Sequence, residues 1–479
     1  MKKHSLFVVP LLAIMMALVA GSASAANVVI LNNDGAGEGL NDPTPVAPVG
    51  GNTGTTLGDQ RLIVLQAAGD VWAALIESSV DIKINAQFNS LSSCGILGST
   101  SPGPTIKDFP GAPVPGTWYH SPLADAIAGV DQAPGSGDFN IQYNSDWGTP
   151  QCPANSFYLG LDPAPVGTSS LYSTVLHEMA HGLGFANFVN DATGAWWGNS
   201  PDIFSVFTLD TTSGLHWTEM TQPQRQASAT NTGNLVWDGP NTTAEVPSTL
   251  YGSTMDLEMT APPAVAGHYV AAGAIFGEVQ ADPVSFAGDF ELVNTGTATP
   301  TDGCEPLIGF TPGNVAFIDR GTCEFGVKAL NAQDAGASAA VIANDREGTV
   351  LVNMAGGVVA DQVTIPVVAI GQDDGNTIRP ELPGSAVVSL LARWGMHDAG
   401  FALLYAPNPV ELGSSVSHFD PTAWPDLLME PFDSEDVFDA VDLTPAQFKD
   451  VGHTIVGGGN IFADGFETGD TTNWDSSSP

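Results

Sequence analysis

Apolar residues recur at helical spacing across residues 61–78. Leu62, Leu65, Ala68, Trp72 and Ile76 mark a broad face there and predict a helix. Strict alternation follows. Ile82, Ile84, Ala86 and Phe88 fall on one side of residues 80–88, which predicts a strand with one buried face. Residues 118–129 read as a helix after a Pro-rich loop, and residues 139–143 as another strand. Leu176, Met179 and Leu183 are spaced i, i+3, i+7, so a further helix presents an apolar face to a core. Thr168, Ser169 and Ser170 are its N-cap candidates, and Gly182 and Gly184 place its end near Gly184. Helix, strand, strand, helix suits an α+β domain.

A different pattern occupies residues 262–392. Residues 315–318 form a continuous apolar run of buried-strand type. Residues 324–335 read as a helix closed by Gly336, and residues 339–343 and 365–370 as further strands. This is a strand-helix-strand module with no obvious catalytic cluster. Residues 26–58 are rich in Gly, Asn, Pro and Thr and read as a flexible N-terminal segment. The division expected is 1–25, a signal; 26–58, the flexible segment; 59–261, the first part of a catalytic domain; 262–392, the inserted module; 393–456, the second part; and 457–479, a linker and tail.

Composition changes the picture in three ways. Lys2 and Lys3, an apolar run over residues 6–20, and Ala23-Ser24-Ala25 have the form of a secretory signal. No later segment has the length and apolarity of a membrane span. A soluble, secreted protein is therefore expected. The formal charge is −40, from 52 acidic and 12 basic side chains, which disfavours nucleic acid and anionic membranes as partners. So acidic a chain makes Ca2+ a further candidate ion, although no loop has EF-hand spacing. Four cysteines in an exported chain suggest two disulfides. Three pairings can be drawn. Cys94 with Cys152, and Cys304 with Cys323, keeps each bridge inside one domain.

The chemistry concentrates in the run from His177 through Glu178 and His181 to Phe185. Residues four apart share a helix face, so His177 and His181 can aim two imidazoles at one metal ion. Glu178 lies to the side and can act as a general base without ligating. That is the H-E-x-x-H arrangement of zinc hydrolases. A catalytic zinc needs a third protein ligand and an open position. The compact pattern H-E-x-x-H-x-x-G-x-x-H would supply it three residues after Gly184, where this chain has Asn187. Asparagine is a poor zinc ligand beside histidine. The third ligand must come from elsewhere, or the site is degenerate. His216, Glu219, His268, His397, His418 and several aspartates remain as candidates.

Two family resemblances narrow this. Val315-Ala316-Phe317-Ile318-Asp319-Arg320-Gly321-Thr322-Cys323, then Lys328, Ala335-Gly336-Ala337 and Ile365-Pro366-Val367-Val368, resemble the protease-associated (PA) domain. PA domains occur as insertions in exported or lumenal peptidases and are implicated in substrate access or protein contacts. Separately, His177 to Phe185, Ser417-His418 and Leu428-Met429-Glu430-Pro431 resemble the leishmanolysin family of metzincins, in which a long insertion precedes the third His and a Met-turn. The resemblance implies His177, His181 and His418 as zinc ligands, Glu178 as the base, and Met429 packing beneath the metal. The leishmanolysin cysteine set is absent.

The expected fold is thus α+β, a zincin or metzincin-like catalytic domain interrupted by a β-rich α/β PA-type domain. The expected function is a secreted zinc endopeptidase that cleaves polypeptide substrates, engaged in part by the PA-like module. Zinc lowers the pKa of a water, and Glu178 takes its proton. Two alternatives stand beside it: an exported polypeptide-binding protein with a decayed zinc site, and a zinc hydrolase of non-peptide amides or esters.

Overall fold

The computed structural model describes residues 25–153, 156–250, 253–274, 276–277, 284–346, 354–432 and 441–456. The signal and the C-terminal tail expected from the sequence lie outside these residues.

The first sheet holds β1 (Val28–Asn32), β2 (Ile82–Asn89), β3 (Gly98–Pro102) and β6 (Phe139–Asn144) in the order β1-β2-β6-β3. β1, β2 and β6 run parallel, and β3 joins β6 antiparallel at the edge. β4 (Thr105–Lys107) and β5 (Trp118–His120) make a small antiparallel pair before α2 (Ser121–Ala128). The helix expected at 118–129 therefore starts three residues late. Pro122 suits the first helical turn, and the preceding residues are drawn into strand pairing.

Two helices pack on this sheet, α1 (Leu57–Leu75) and α3 (Leu171–Leu183). In α1, Leu65, Ala68 and Trp72 are buried, while Leu62 is exposed. Trp72 donates its indole N–H to the Leu176 carbonyl at 3.2 Å and clasps α1 to α3. Gly182 faces the Phe139 ring, and any Cβ there would come within 2.2 Å of it. β7 (Phe157–Tyr158) and β8 (Ser169–Ser170) form a short parallel pair leading into α3.

The segment 26–58 is not the flexible leader expected. β1 pairs with β2, and Asp34 accepts from Leu40 N–H and Phe88 N–H. Asn52 is buried and donates to the carbonyls of Gln60 and Leu159. Asn and Asp here satisfy backbone groups both near and far along the chain, which fixes a loop that composition alone reads as mobile.

A second sheet follows α3: β9 (Thr208–Asp210), β10 (Leu215–His216) and β11 (Leu235–Trp237), with α4 (Gln222–Ser228) between β10 and β11 and α5 (Pro240–Thr249) after them. Then comes a closed seven-stranded barrel. In chain order its strands are β12 (Ser253–Ala261), β13 (Gly267–Gly273), β14 (Val284–Leu292), β15 (Val315–Asp319), β16 (Ala339–Ala343), β17 (Val367–Ile370) and β18 (Gly384–Arg393). They close in the order β12-β13-β17-β16-β15-β14-β18. The continuous apolar runs have two buried faces. Val315, Phe317, Val341 and Val368 belong to the barrel core, while Ala316, Ile318 and Ile342 pack with α6 (Phe325–Asp334). A last helix of this unit, α7 (Gln372–Ile378), precedes β18.

The barrel begins earlier than the sequence suggests. β12 was expected in the catalytic part, but it pairs with both β13 and β18. Ser253 stands opposite Arg393, so the chain enters and leaves at neighbouring points. Such an insertion barely disturbs its host. β19 (Ala402–Leu403) then pairs with β11, Val236 opposite Leu403, and the second sheet runs β10-β9-β11-β19. The host is one body on both sides of the barrel. α8 (Thr444–Val451) closes it, with the Phe448 ring 5.3 Å from Trp72. Cys94 is bonded to Cys152 and Cys304 to Cys323, one bridge in the host and one in the barrel unit.

Candidate metal centre

α3 carries the first half of the site. Ser170 caps it, its hydroxyl accepting from Ser173 N–H at 3.2 Å. Gly184 ends it at φ +140°. The second half arrives through the second sheet. After β19, Tyr405 N–H donates to the His418 carbonyl at 2.9 Å, and Phe419 N–H to the Met429 carbonyl at 2.8 Å. These bonds set residues 418–429 against α3 across a sequence separation of 237 between His181 and His418.

The three imidazoles meet. His177 Nε2 lies 3.1 Å from His181 Nε2, and His418 Nε2 lies 3.2 Å from each. On the far side, each ring donates from Nδ1 to a carbonyl: His177 to Leu428 at 2.6 Å, His181 to Phe185 at 2.7 Å, and His418 to Ser414 at 2.7 Å. A carbonyl only accepts, so each Nδ1 holds the proton and each Nε2 presents a lone pair. Three lone pairs face one another with no proton between them. A cation resolves that arrangement. Zinc–nitrogen bonds of about 2.0–2.1 Å at tetrahedral angles separate nitrogens by roughly 3.4 Å, close to the spacing here. Burial depresses all three imidazoles. His177 is pushed down to about 4, His181 to about 3, and His418 well below its usual value. They are neutral at ordinary pH, as ligation needs.

Glu178 is buried beside the triad. The Thr100 hydroxyl lies 2.7 Å from both its carbonyl oxygen and its Oε2. Burial pushes the Glu178 carboxyl up to about 7, against the lowering effect of Thr100. β3 is the wall here: a Cβ on Gly98 would come within 2.8 Å of Glu178 Oε1. Met429 is fully buried. It follows Leu428, which receives His177, and its own carbonyl receives the N–H after His418.

Asn187 is not near-empty space where a ligand failed. Its N–H and Nδ2 both donate to Ser417 Oγ at 3.1 Å, beside His418. The other candidates for third ligand lie elsewhere. His216 bonds Asp238 at 2.7 Å and sits near Glu219; His268 bonds Asp256 at 2.9 Å; His397 bonds the Thr211 hydroxyl at 3.2 Å. Among the described residues, the three histidines are the one group of three or more His, Cys, Asp or Glu side chains close enough to share a metal ion, so no carboxylate cage for Ca2+ is found there. Tyr405 donates to Glu411 at 3.1 Å and does not line the cleft.

A cleft of about 1000 Å³ opens over the triad. β3 lines it from Gly98 to Pro102, and among the described residues β3 has a strand partner on one side only. His120 at the end of β5 also lines it. Sequence reading missed Thr100 and His120, and it placed Ser417 in a motif without assigning it a role. Their signal is weak, because a polar edge strand and isolated hydroxyls have no period.

Residues 289–378 match the PA domain family. Signal peptide peptidase-like 2 of Arabidopsis thaliana is 34% identical over 121 residues, 25% of this chain and 22% of that protein. Vacuolar-sorting receptor 1 of Pisum sativum is 30% identical over 86 residues, 17% of this chain and 14% of that protein. The chain thus spans about a fifth or less of these relatives' length. Among solved structures, a zinc aminopeptidase from Bacillus subtilis is similar with TM-score 0.23 and 19% identity, over 32% of this chain and 36% of that one. A subtilisin-like protease from Pseudoalteromonas sp. AS-11 is similar with TM-score 0.20 and 13% identity, over 30% of this chain and 36% of that one. Among the described residues no helix is long and apolar enough to cross a membrane. Residues 289–378 are a PA domain, set into a body that carries the three-histidine cleft.

Proposed function

We propose that this chain is a secreted zinc peptidase of leishmanolysin-like, metzincin type, interrupted by its PA domain. The observation that carries the reading is the convergence of three Nε2 lone pairs within 3.1–3.2 Å, each fixed by a carbonyl behind it. An all-nitrogen set with an open cleft in front suits a catalytic zinc rather than a structural one. His177, His181 and His418 hold the ion. When bound, zinc acidifies water and polarises the scissile carbonyl. Glu178, aimed by Thr100, accepts a proton from the attacking water at its carboxylate and returns it to the leaving nitrogen. Burial raises its affinity for that proton, which suits a group that must both take and give it. The turn at Leu428 and Met429 locks two ligand-bearing segments together. The edge of β3 beside the triad, unpaired among the described residues, supports a polypeptide substrate, since an extended chain can pair with it. The PA domain supports the same reading through its association with peptidases and protein contacts.

The test is digestion. Purified chain loaded with zinc is incubated with a denatured protein, and products are read by mass spectrometry. Cleavage that chelation abolishes and zinc restores supports the reading. Zinc-loaded protein that leaves polypeptides intact refutes it.

A further inference from the structure

His120 is a buried polar group that the proposed chemistry has not yet used. It is 3% exposed. It ends β5, caps no helix N–H with its side chain, and packs its ring 4.4 Å from that of Phe188. Its Nδ1 is sealed from solvent and has no hydrogen-bond partner. Among the described residues Nε2 makes no hydrogen bond either, and it is not one of the sealed atoms. The residue lines the cleft together with His177, Glu178, His181 and His418.

An orphaned buried polar atom calls for an explanation. A sealed N–H without an acceptor costs more than a sealed lone pair. The favoured tautomer therefore leaves Nδ1 bare and puts the proton on Nε2, in a residue that lines the cleft. That makes a fixed, neutral donor on the wall of the site. A bound zinc would polarise the carbonyl and Glu178 handles the proton, but the three ligand histidines, whose Nδ1 protons are held by carbonyls, offer no hydrogen bond to the oxygen that gains charge during attack.

Resting on the peptidase reading, we infer that His120 is a further catalytic residue, donating from Nε2 to the oxygen of the carbonyl under attack. It transfers no proton in this role. It strengthens its hydrogen bond as the oxygen becomes an oxyanion, so it acts on the transition state more than on bound substrate.

The test compares wild type, His120→Ala and His120→Gln as zinc-loaded full chains. Expected in His120→Ala is a fall in kcat on the order of 10²-fold, with KM, zinc content and Tm near wild type. His120→Gln, which keeps a donor, recovers part of the rate. A phosphonate peptide, whose tetrahedral anionic oxygen stands in for the oxyanion, loses affinity for His120→Ala by a similar factor, while the matching amide peptide binds Glu178→Gln equally with or without His120. Unchanged kcat and phosphonate affinity in His120→Ala overturn the role of His120. A loss that appears only in KM or zinc content overturns it as well. A wild-type chain that cleaves nothing overturns the peptidase reading itself, which the His120 variants alone do not.

Discussion

Asn187 holds Ser417 with two donors, its N–H and its Nδ2, each 3.1 Å from the serine hydroxyl oxygen. The position that supplies the third ligand in the compact motif here clamps the distant segment that brings His418. Asn187 Oδ1 in turn accepts Val189 N–H at 2.7 Å, which stiffens the clamp. Asn187→Ala and Ser417→Ala should each weaken zinc affinity by about 10-fold or more, as losses of outer-sphere support do. The double variant should lose little beyond either single one, since both remove one contact. Competition titration with a fluorescent chelator measures this. Fully additive losses would show that the two residues act separately.

Glu178 depends on Thr100. Glu178→Gln should abolish peptide cleavage by about 10²–10⁴-fold while keeping zinc, because the amide cannot accept the water proton. Thr100→Val should lower kcat more mildly, since it removes the hydroxyl at 2.7 Å from Oε2 but leaves the carboxylate. Elemental analysis beside kinetics separates loss of metal from loss of the base. Full activity in Glu178→Gln would contradict the role assigned to it.

The cleft carries an apolar rim. Trp197 is 60% exposed, Leu412 81% and Phe432 59%, and all three line the cleft. Among the described residues no Lys or Arg lines it. Internal bonds flanked by large apolar residues should therefore be cut, and acidic segments spared. Trp197→Ser and Leu412→Ser should each reduce kcat/KM on apolar peptides by about 10-fold or more. Mapping cleavage sites in a peptide mixture checks this. Enrichment of Asp or Glu around the cut would count against it.

How far the sequence discloses this site depends on where each signal lies. The helix of His177 and His181 announces itself, because ligands four apart and an apolar face three and seven apart coexist in 13 residues. The alternation of β2 and the apolar runs of β15 and β16 are equally plain. β1 and β3 are not. β3 reads Gly-Ser-Thr-Ser-Pro and owes its place to pairing with β6, not to its own pattern. The barrel limits at Ser253 and Arg393 depend on β12 meeting β18, a non-local pairing that no window of sequence shows. His418 is reachable only by resemblance, since its approach to α3 runs through β11, β19 and Tyr405.

Asp125 gives a pH signature away from the metal centre. Its Oδ1 accepts Gln132 N–H at 2.7 Å, while Oδ2 is buried without a partner. Burial pushes the carboxyl up to about 6, with Asp138 and Asp131 adding to the rise. The folded chain thus keeps a proton that the unfolded chain has lost, so stability falls as pH rises from about 4 to about 6. Asp125→Asn keeps a group of the same shape and removes the ionisation. Its stability relative to wild type should grow across that window by on the order of 2 kcal/mol and then level off. Denaturant melts of both proteins from about pH 4 to about pH 7.5 measure the difference. A difference independent of pH would show that Asp125 ionises normally in the fold.

The split centre is tested most directly by zinc stoichiometry in His418→Ala. Wild type and variant are dialysed against the same buffered free zinc, near nanomolar, and metal per chain is measured by elemental analysis, with circular dichroism to confirm the fold. One zinc per wild-type chain and almost none in folded His418→Ala is the outcome expected if His418 completes the set begun by His177 and His181. One zinc per chain in His418→Ala at unchanged affinity would contradict it.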